Sequence, residues 1–92
     1  MQNKFIVMHP NDNCATALTE ILEDTKIIVK DRIIIMNQKI PNAHKFALVD
    51  IKTGEFVLKY GEVIGVAIKD IKSGDWVHTH NLKSHYLNEV IK

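Results

Sequence analysis

The sequence is poor in cysteine, proline and glycine, and it has no long hydrophobic run. Its single cysteine, Cys14, excludes an internal disulfide and suits a reducing compartment, so we expect a small buried apolar residue in a cytoplasmic protein. The apolar runs Phe5 to Met8 and Ile33 to Met36 are only four residues long. Such runs are too short for a signal-peptide core or a membrane span.

The chain also lacks a charge imbalance, because 12 Lys and Arg are set against 11 Asp and Glu, for a net charge of +1. This balance does not call for nucleic acid or an anionic membrane as a partner. The 92 residues, 46% hydrophobic and 25% charged, predict one globular domain with a core over about residues 4–84 and a tail over 85–92. So small a chain suggests a module, either a small subunit or a detached domain of a larger protein.

An internal repeat organises the sequence. The segment DIKTGEFV, residues 50–57, recurs twenty residues later as DIKSGDWV, residues 70–77, and weaker copies relate ALTEI at 17–21 to ALVDI at 47–51 and AIKDI at 67–71. In each strong copy the Asp starts a tight turn, and Gly54 or Gly74 closes it with a positive φ. We therefore interpret Asp50 and Asp70 as turn-capping residues.

Short strands separated by turn signals account for most of the chain, and they predict a mainly β domain, barrel-like or a folded ribbon, with one or two short helical turns. Asp12 or Asn13 is placed to cap a short helix over about Cys14 to Leu22. The segment from Leu82 onward is expected to form a loop and a last helical turn. The predicted strands are residues 4–8, 26–30, 31–36, 45–50, 55–60, 63–69 and 75–79.

The segment WVHTHNL, residues 76–82, places His78 and His80 one residue apart. On an extended strand both side chains point to the same side, which is a recurrent way to supply two nitrogen ligands to one metal ion. Two ligands do not complete a site, and the alternative is a solvated surface with Thr79 facing the core. The repeat aligns LKYG, residues 58–61, with HTHN, residues 78–81, so one copy has diverged towards histidine.

His44 and Lys45 stand where the loop IPNAHK meets a predicted strand, a common place for functional groups held by a rigid element. The alternatives are a histidine ring packed on the loop and a solvated lysine. The chain has no Gly-rich phosphate loop, catalytic serine elbow or Cys-x-x-Cys pair.

Taken in order, NDNCATAL, IPNAHKFAL, KYGEVIGVA and DIKSGDWVHTHNL resemble the N-terminal SAF domain of the altronate and galactarate dehydratase family. In some members, including a sulfolactate sulfo-lyase, the same domain is a separate small subunit. The resemblance covers about residues 4–84 and implies a β-clip fold, a long β-ribbon folded twice on itself.

The resemblance further implies a part in a sugar-acid lyase that removes water from a polyhydroxy acid, with Fe(II) as the expected metal and a separate large catalytic subunit as the expected partner. Such chemistry removes a proton α to a carboxylate, stabilises the resulting aci-carboxylate and protonates the leaving oxygen. By resemblance, His78 and His80 are the predicted metal ligands or acid and base groups. The predicted substrate contacts are Lys45, Asn81, His44, Lys59 and Tyr60, with Asp12 and Asn13 as weaker candidates.

Two positions depart from the family pattern, because Ala43 replaces a usual glycine and the segment LEDTK has no turn glycine near Asp24. The large catalytic domain is also absent, so the chain is expected to be inactive alone. The rival functions are a non-catalytic module that binds a sugar acid or small anion, and an assembly domain that places a large subunit in an oligomer. The tail residues Tyr86, Leu87, Val90 and Ile91 have roughly helical spacing and could supply an assembly surface.

Overall fold

A computed structural model describes residues 4–84 of the chain, and every regular element in that range is a β-strand. The strands are β1 (Phe5–Ile6), β2 (Cys14–Ala17), β3 (Lys26–Val29), β4 (Arg32–Ile35), β5 (Lys45–Ala47), β6 (Phe56–Lys59), β7 (Glu62–Ala67), β8 (Trp76–Val77) and β9 (Leu82–Ser84). They form three small antiparallel sheets in the orders β1-β2-β5-β8, β3-β4 and β6-β7-β9. This architecture confirms the predicted mainly β, β-clip-like fold.

The predicted helix over Cys14 to Leu22 is wrong, since Cys14–Ala17 is strand β2, paired with β1 on one side and β5 on the other. Asp12 and Asn13 do not cap a helix. Their side chains accept backbone N–H groups of the distant strand β6 and the turn after it. The sequence signal for an N-cap is only a short polar acceptor, and such an acceptor serves remote donors equally well.

One turn is repeated four times along the chain. Each copy begins at a buried isoleucine, and the residue three positions later has a positive φ. The isoleucines pair through two isolated antiparallel bridges, Ile21 with Ile40 and Ile51 with Ile71. The positive-φ residues are Asp24 (67°), Ala43 (72°), Gly54 (91°) and Gly74 (90°). The turns at Asp24 and Ala43 therefore keep the shared geometry despite lacking glycine.

The hydrogen bonds of these turns show that the chain is a structural duplication with an offset of 30 or 31 residues. Asp24 donates to Met36 as Gly54 donates to Ala67, and Ala43 donates to Ala17 as Gly74 donates to Ala47. The hairpin β3-β4 thus corresponds to β6-β7, and β5 corresponds to β8. Leu58–Gly61 and His78–Asn81, which the twenty-residue alignment pairs, are not equivalent, because the first enters a hairpin and the second follows β8.

The caps of the two strongly similar turns are exchanged. Ser73 N–H donates to Asp50 Oδ1 (2.9 Å), while Thr53 donates to Asp70 Oδ1 through its backbone N–H (2.9 Å) and its hydroxyl (2.8 Å). The predicted capping role of both aspartates is therefore confirmed, but each caps the turn of the other copy. The exchange fastens the two copies to each other.

Two buried clusters form the core, one under each half of the duplication. The first surrounds Phe46, Ile34 and Met36, and the second surrounds Val57, Ile71 and Val77. The central sheet supplies residues to both clusters, because neighbouring residues of a strand face opposite sides.

The last described segment also differs from expectation, since Leu82–Ser84 is strand β9, paired with β7, rather than a loop. The predicted final helical turn and assembly surface at residues 85–92 lie outside the described residues. Within residues 4–84, no helix is long and apolar enough to cross a membrane.

Candidate functional site

A cleft of about 590 Å³ lies at the end of β5 and β8, against the sheet β6-β7-β9. Four of the residues predicted from the sequence line it: Lys45, Lys59, Tyr60 and His78. Ile64, Ile68 and Leu82 supply apolar wall, and Thr79, Lys83 and Ser84 complete the lining. The cleft therefore combines a largely apolar surface with several cationic or ionisable groups, as small-molecule sites commonly do.

Lys45 is the most firmly held of these groups. It lies on β5, an inner strand of the four-stranded sheet, where it pairs with Thr16 of β2 on one side and Val77 of β8 on the other. Burial lowers the pKa of its ammonium group below the usual value, and the nearby Lys59 lowers that pKa further. Two like charges are thus held close together, one on β5 and the other at the end of β6.

Within the described part of the chain, neither lysine forms an ion pair with a carboxylate. The ion pair found there joins Lys39 to Glu20. The Lys59 ammonium lies 5.0 Å from the ring centroid of Tyr60, which places the cation over an aromatic face. A cleft with two unpaired ammonium groups attracts small anions.

An aromatic cluster forms the rim of the cleft around Trp76. The ring of His78 stacks on the Trp76 indole with centroids 5.3 Å apart and planes inclined by 14°. His44 meets both rings edge-on, with centroids 5.4 Å from Trp76 and 5.1 Å from His78. His80 makes a tilted contact with Trp76 at 5.7 Å. All three histidines therefore gather on one indole.

The pKa of His78 is lowered from the model-compound value of 6.5, first because burial penalises the imidazolium form. The positive charges of His44, Lys45 and His80 then repel a proton on the same ring. At neutral pH this environment favours an uncharged imidazole that can accept a proton or a hydrogen bond.

The segment carrying His80 and Asn81 is a turn, because β8 ends at Val77 and both Asn81 N–H (3.1 Å) and Leu82 N–H (2.9 Å) donate to the His78 carbonyl. The expected strand to residue 79 or 80 is wrong, so strand alternation does not align the two histidines. Asn81 is buried, and its side chain accepts from His78 N–H (3.0 Å) and donates to the Trp76 carbonyl (2.8 Å). The Asn81 side chain thus stabilises this turn, while His80 is exposed beside the cleft.

The duplication provides an internal control for the site. With an offset of 30 residues from β2 to β5 and from β3 to β6, and of 31 from β5 to β8, Ala15 stands in the first half for Lys45, Val29 for Lys59, and Ala47 and Val49 for His78 and His80. The corresponding groove, about 480 Å³ between β4 and residues 48–50, is lined by Arg32 together with the carboxylate Asp50, and it has no lysine or histidine in its lining. The two lysines and the histidine of the cleft therefore occur on only one of two similar scaffolds, which separates them from what the fold itself requires.

The described residues do not form a metal site by themselves. Within residues 4–84 no group of three His, Cys, Asp or Glu side chains is arranged to hold an ion. His44 and His78 could approach one ion, but both pack on Trp76, and no carboxylate joins them. The donor set present does not fit Fe(II), which needs further ligands and favours a carboxylate beside histidine.

Cys14 is buried and its thiol contacts the Leu58 carbonyl at 3.4 Å. Burial raises the pKa of this thiol to about 11, so it stays protonated. The interpretation of Cys14 as a small buried residue is confirmed.

Sequence reasoning missed Trp76 as the base of the cluster and the role of Asp12 and Asn13 beside β6. The 30-residue offset that relates ALTEI to ALVDI was the available signal of the duplication, and it does not mark Trp76. Nothing in the sequence indicated the long-range bonds of Asp12 and Asn13.

The sequence profile of the altronate/galactarate dehydratase SAF domain matches residues 3–85. The chain thus belongs to a class of small β-domains found in sugar-acid lyases. In particular, it is a member of the altronate/galactarate dehydratase SAF domain family, which confirms the resemblance inferred from its motifs.

Individual relatives fall into two groups. The chain is 40% identical to altronate dehydratase of Escherichia coli strain K12 over 82 residues, which cover 89% of this chain but 17% of that enzyme. It is 31% identical to the (2R)-sulfolactate sulfo-lyase subunit alpha of Chromohalobacter salexigens over 91 residues, which cover 91% of this chain and 97% of that subunit. A second such subunit, from Paracoccus pantotrophus, is 49% identical over 45 residues, 49% of this chain and 67% of that subunit. The chain thus spans about a sixth of the dehydratase and nearly the whole of one lyase subunit.

Proposed function

We propose that the chain supplies one wall of the active site of a lyase that acts on a small hydroxy-acid anion, and that a separate large subunit completes that site. The observation that carries the proposal is the convergence of Lys45, Lys59 and His78 in one cleft without a neutralising carboxylate among the described residues. Membership of a family found in dehydratases and sulfo-lyase subunits fits this chemistry.

Elimination next to a carboxylate needs cationic groups where negative charge develops. When the proton α to the carboxylate leaves, the electron pair moves into that carboxylate, and its oxygens gain charge. Lys45 and Lys59 would bind these oxygens in the substrate, which lowers KM, and more tightly as that charge grows, which also lowers the barrier. His78, with its lowered pKa, would act at the same cleft as the group that accepts or relays a proton.

Two substrate classes fit the cleft. The altronate and galactarate dehydratases make a sugar acid the first candidate. The near-complete coverage of a (2R)-sulfolactate sulfo-lyase alpha subunit is the specific observation that favours a sulfonated hydroxy acid as the second, and it also supports a role as a small subunit. Both classes are anions, so two lysines suit either one.

The chain's own contribution to such an enzyme is charge and hydrogen bonding. If Fe(II) serves the complete enzyme, it would need ligands beyond the described histidines. We expect the chain to be inactive without the large subunit. We also expect it to work in the cytoplasm, because a free cysteine such as the buried Cys14 suits a reducing compartment.

Turnover by the chain co-purified with the proposed large lyase subunit tests the proposal, with altronate, galactarate and (2R)-sulfolactate as substrates. One of these acids should be converted, and the His78→Ala/His80→Ala double variant should reduce turnover at least tenfold, as expected for loss of a proton-transfer group. Full turnover in that variant would contradict a catalytic role for either histidine. If turnover were also unchanged in Lys45→Ala/Lys59→Ala, the cleft would have no part in catalysis, and the chain would serve only in assembly of the enzyme.

A further inference from the structure

We infer that Asp12, assisted by Asn13, is a positioning residue that fixes the β6-β7 turn so that Lys59 faces the substrate anion. The inference rests on the proposed function of the cleft, and it assigns a task to a buried carboxylate that lies outside the cleft lining.

Asp12 binds the turn through both of its carboxylate oxygens. Tyr60 N–H donates to Oδ2 (3.0 Å) and Gly61 N–H donates to Oδ1 (2.8 Å), although Asp12 is 48 residues or more away in sequence. The carboxylate is only 8% exposed, so these charge-assisted bonds are shielded from water. A buried carboxylate with two fixed donors holds the turn in one place.

Asn13 acts on the strand that leads into the same turn. Its amide nitrogen donates to the Phe56 carbonyl (2.9 Å), and its amide oxygen accepts from Leu58 N–H (2.8 Å). The β6-β7 register shifts between Val57 and Leu58, where the backbone needs an additional partner. Asn13 therefore stands in for a neighbouring strand at the edge of β6.

The far side of the turn is closed by His9. A Cβ atom added to Gly61 would lie 2.9 Å from the His9 ring, so the imidazole is packed directly on the glycine backbone. The Tyr60–Gly61 turn is thus held by a carboxylate and by a ring, both from the segment before β2.

The equivalent hairpin closes without such support. Lys30 has φ 55° in the β3-β4 turn, as Tyr60 has φ 61° in the β6-β7 turn, but the next residue has a positive φ only in the second hairpin, at Gly61 (74°). In the described range, no side chain accepts a bond from the backbone of Lys30 or Asp31. A two-residue turn at this place therefore does not require a carboxylate, and Asp12 serves to fix the conformation and position of the hairpin that carries Lys59.

A double-mutant cycle between Asp12→Asn and Lys59→Ala tests this role, measured as KM and kcat of the complete enzyme for whichever acid of the three it converts. Asparagine keeps the shape of Asp12 but turns an N–H₂ group towards one of the two donors. Asp12→Asn should raise KM or lower kcat about tenfold, as expected when a group is displaced by about 1 Å. In the Lys59→Ala background the same change should alter KM by less than about twofold, because its effect passes through Lys59.

Asn37→Ala is the matched control, since Asn37 also bridges distant segments, through the Ser73 carbonyl (3.1 Å) and Asp75 (2.7 Å), but does not line the cleft. It should lower stability without changing KM. If Asp12→Asn does not fold, Asn13→Ala enters the same cycle. Equal effects of Asp12→Asn with and without Lys59, or no effect, overturn the positioning role. An unchanged KM in Lys59→Ala alone instead overturns the proposed function of the cleft.

Discussion

His78 lies flat on Trp76, with ring centroids 5.3 Å apart and planes only 14° from parallel. The stack holds the imidazole at the edge of the cleft, where His44 meets it edge-on with ring centroids 5.1 Å apart. The positive charge of Lys45 also acts on this ring and lowers its pKa. His78 is thus surrounded by groups that carry or can carry positive charge. This one arrangement links the fold of β8 to the proton chemistry expected of the cleft.

The first prediction concerns the titration of His78. Its pKa should lie below 6.5, because burial and then the charges of His44, Lys45 and His80 disfavour the imidazolium. Lys45→Ala should raise this pKa, whereas Lys26→Ala on the other hairpin should not. Proton NMR of the imidazole Hε1 resonance measures both, and a midpoint at or above 6.5 in the unmodified chain contradicts the arrangement.

The same shift sets the sign of a pH effect on stability. A histidine whose pKa is lower in the folded chain takes up its proton first in the unfolded chain as the pH falls below 6.5. The contribution of His78 should therefore make the free energy of unfolding decrease as the pH falls through that range. His78→Gln should weaken this dependence in urea titrations at pH 7 and pH 5.5, and an unaltered pH slope would contradict it.

The second prediction contrasts two turn glycines. Gly54 and Gly74 have nearly the same φ, 91° and 90°, but a Cβ at Gly54 meets nothing within 4 Å, while one at Gly74 would lie 2.1 Å from the Ile35 carbonyl oxygen. Gly54→Ala should cost about 1 kcal/mol through backbone strain alone. Gly74→Ala should cost about 3 kcal/mol or more, since strain and overpacking add. Equal losses in chemical denaturation would show that the steric contact is not real.

A third prediction uses Ala43, a residue with a Cβ atom in a turn position of positive φ. Ala43 is exposed and holds φ at 72°, which disfavours any residue with a Cβ. Ala43→Gly should raise the free energy of unfolding by about 0.5–1 kcal/mol, the strain relieved less the greater freedom of the unfolded chain. Ala47→Gly in the buried part of β5 is the contrast and should be destabilising. Destabilisation by Ala43→Gly would mean that the turn does not have this conformation.

The fourth prediction concerns the exchanged cap at Asp70. Hydrogen bonds from the Thr53 backbone and then its hydroxyl lower the pKa of Asp70 below 3.8. This contribution to stability is present above pH 3.8 and is lost as the pH falls through the lowered pKa. Thr53→Val removes only the hydroxyl bond and should move the pKa of Asp70 upward, as carboxyl ¹³C NMR would measure. If the pKa of Asp70 is the same in Thr53→Val, the Asp70 carboxylate does not accept the hydrogen bond from the Thr53 hydroxyl.

The fold class and the repeated turn were accessible to sequence reasoning, because alternating apolar residues and Asp-x-x-x-Gly turns are local signals. The duplication was visible only in part, since the stronger echo of twenty residues relates turns with different continuations, and the structural offset is 30 or 31. The strand Cys14–Ala17 was mistaken for a helix because a polar residue before a small-residue segment has the same local pattern in either case.

Within the site, Lys45, Lys59, Tyr60 and His78 line one cleft, and their meeting depends on pairing between strands distant in sequence. The position of His80 could not be derived, because the end of β8 is set by the Asn81 side chain binding back to Trp76 and His78. Whether these groups touch substrate is a prediction that the geometry favours.

The most direct test of the account is the KM of the complete enzyme after removal of both cleft lysines, compared with removal of two lysines from the equivalent hairpin. Lys45→Ala/Lys59→Ala should raise KM for the acid substrate by about a hundredfold, from the loss of two charge-assisted contacts of at least 1.5 kcal/mol each. Lys26→Ala/Lys30→Ala changes the net charge equally in the first hairpin and should leave KM within about twofold, as surface charge alone would. Equal KM values for the two double variants would contradict the claim that this cleft binds the substrate.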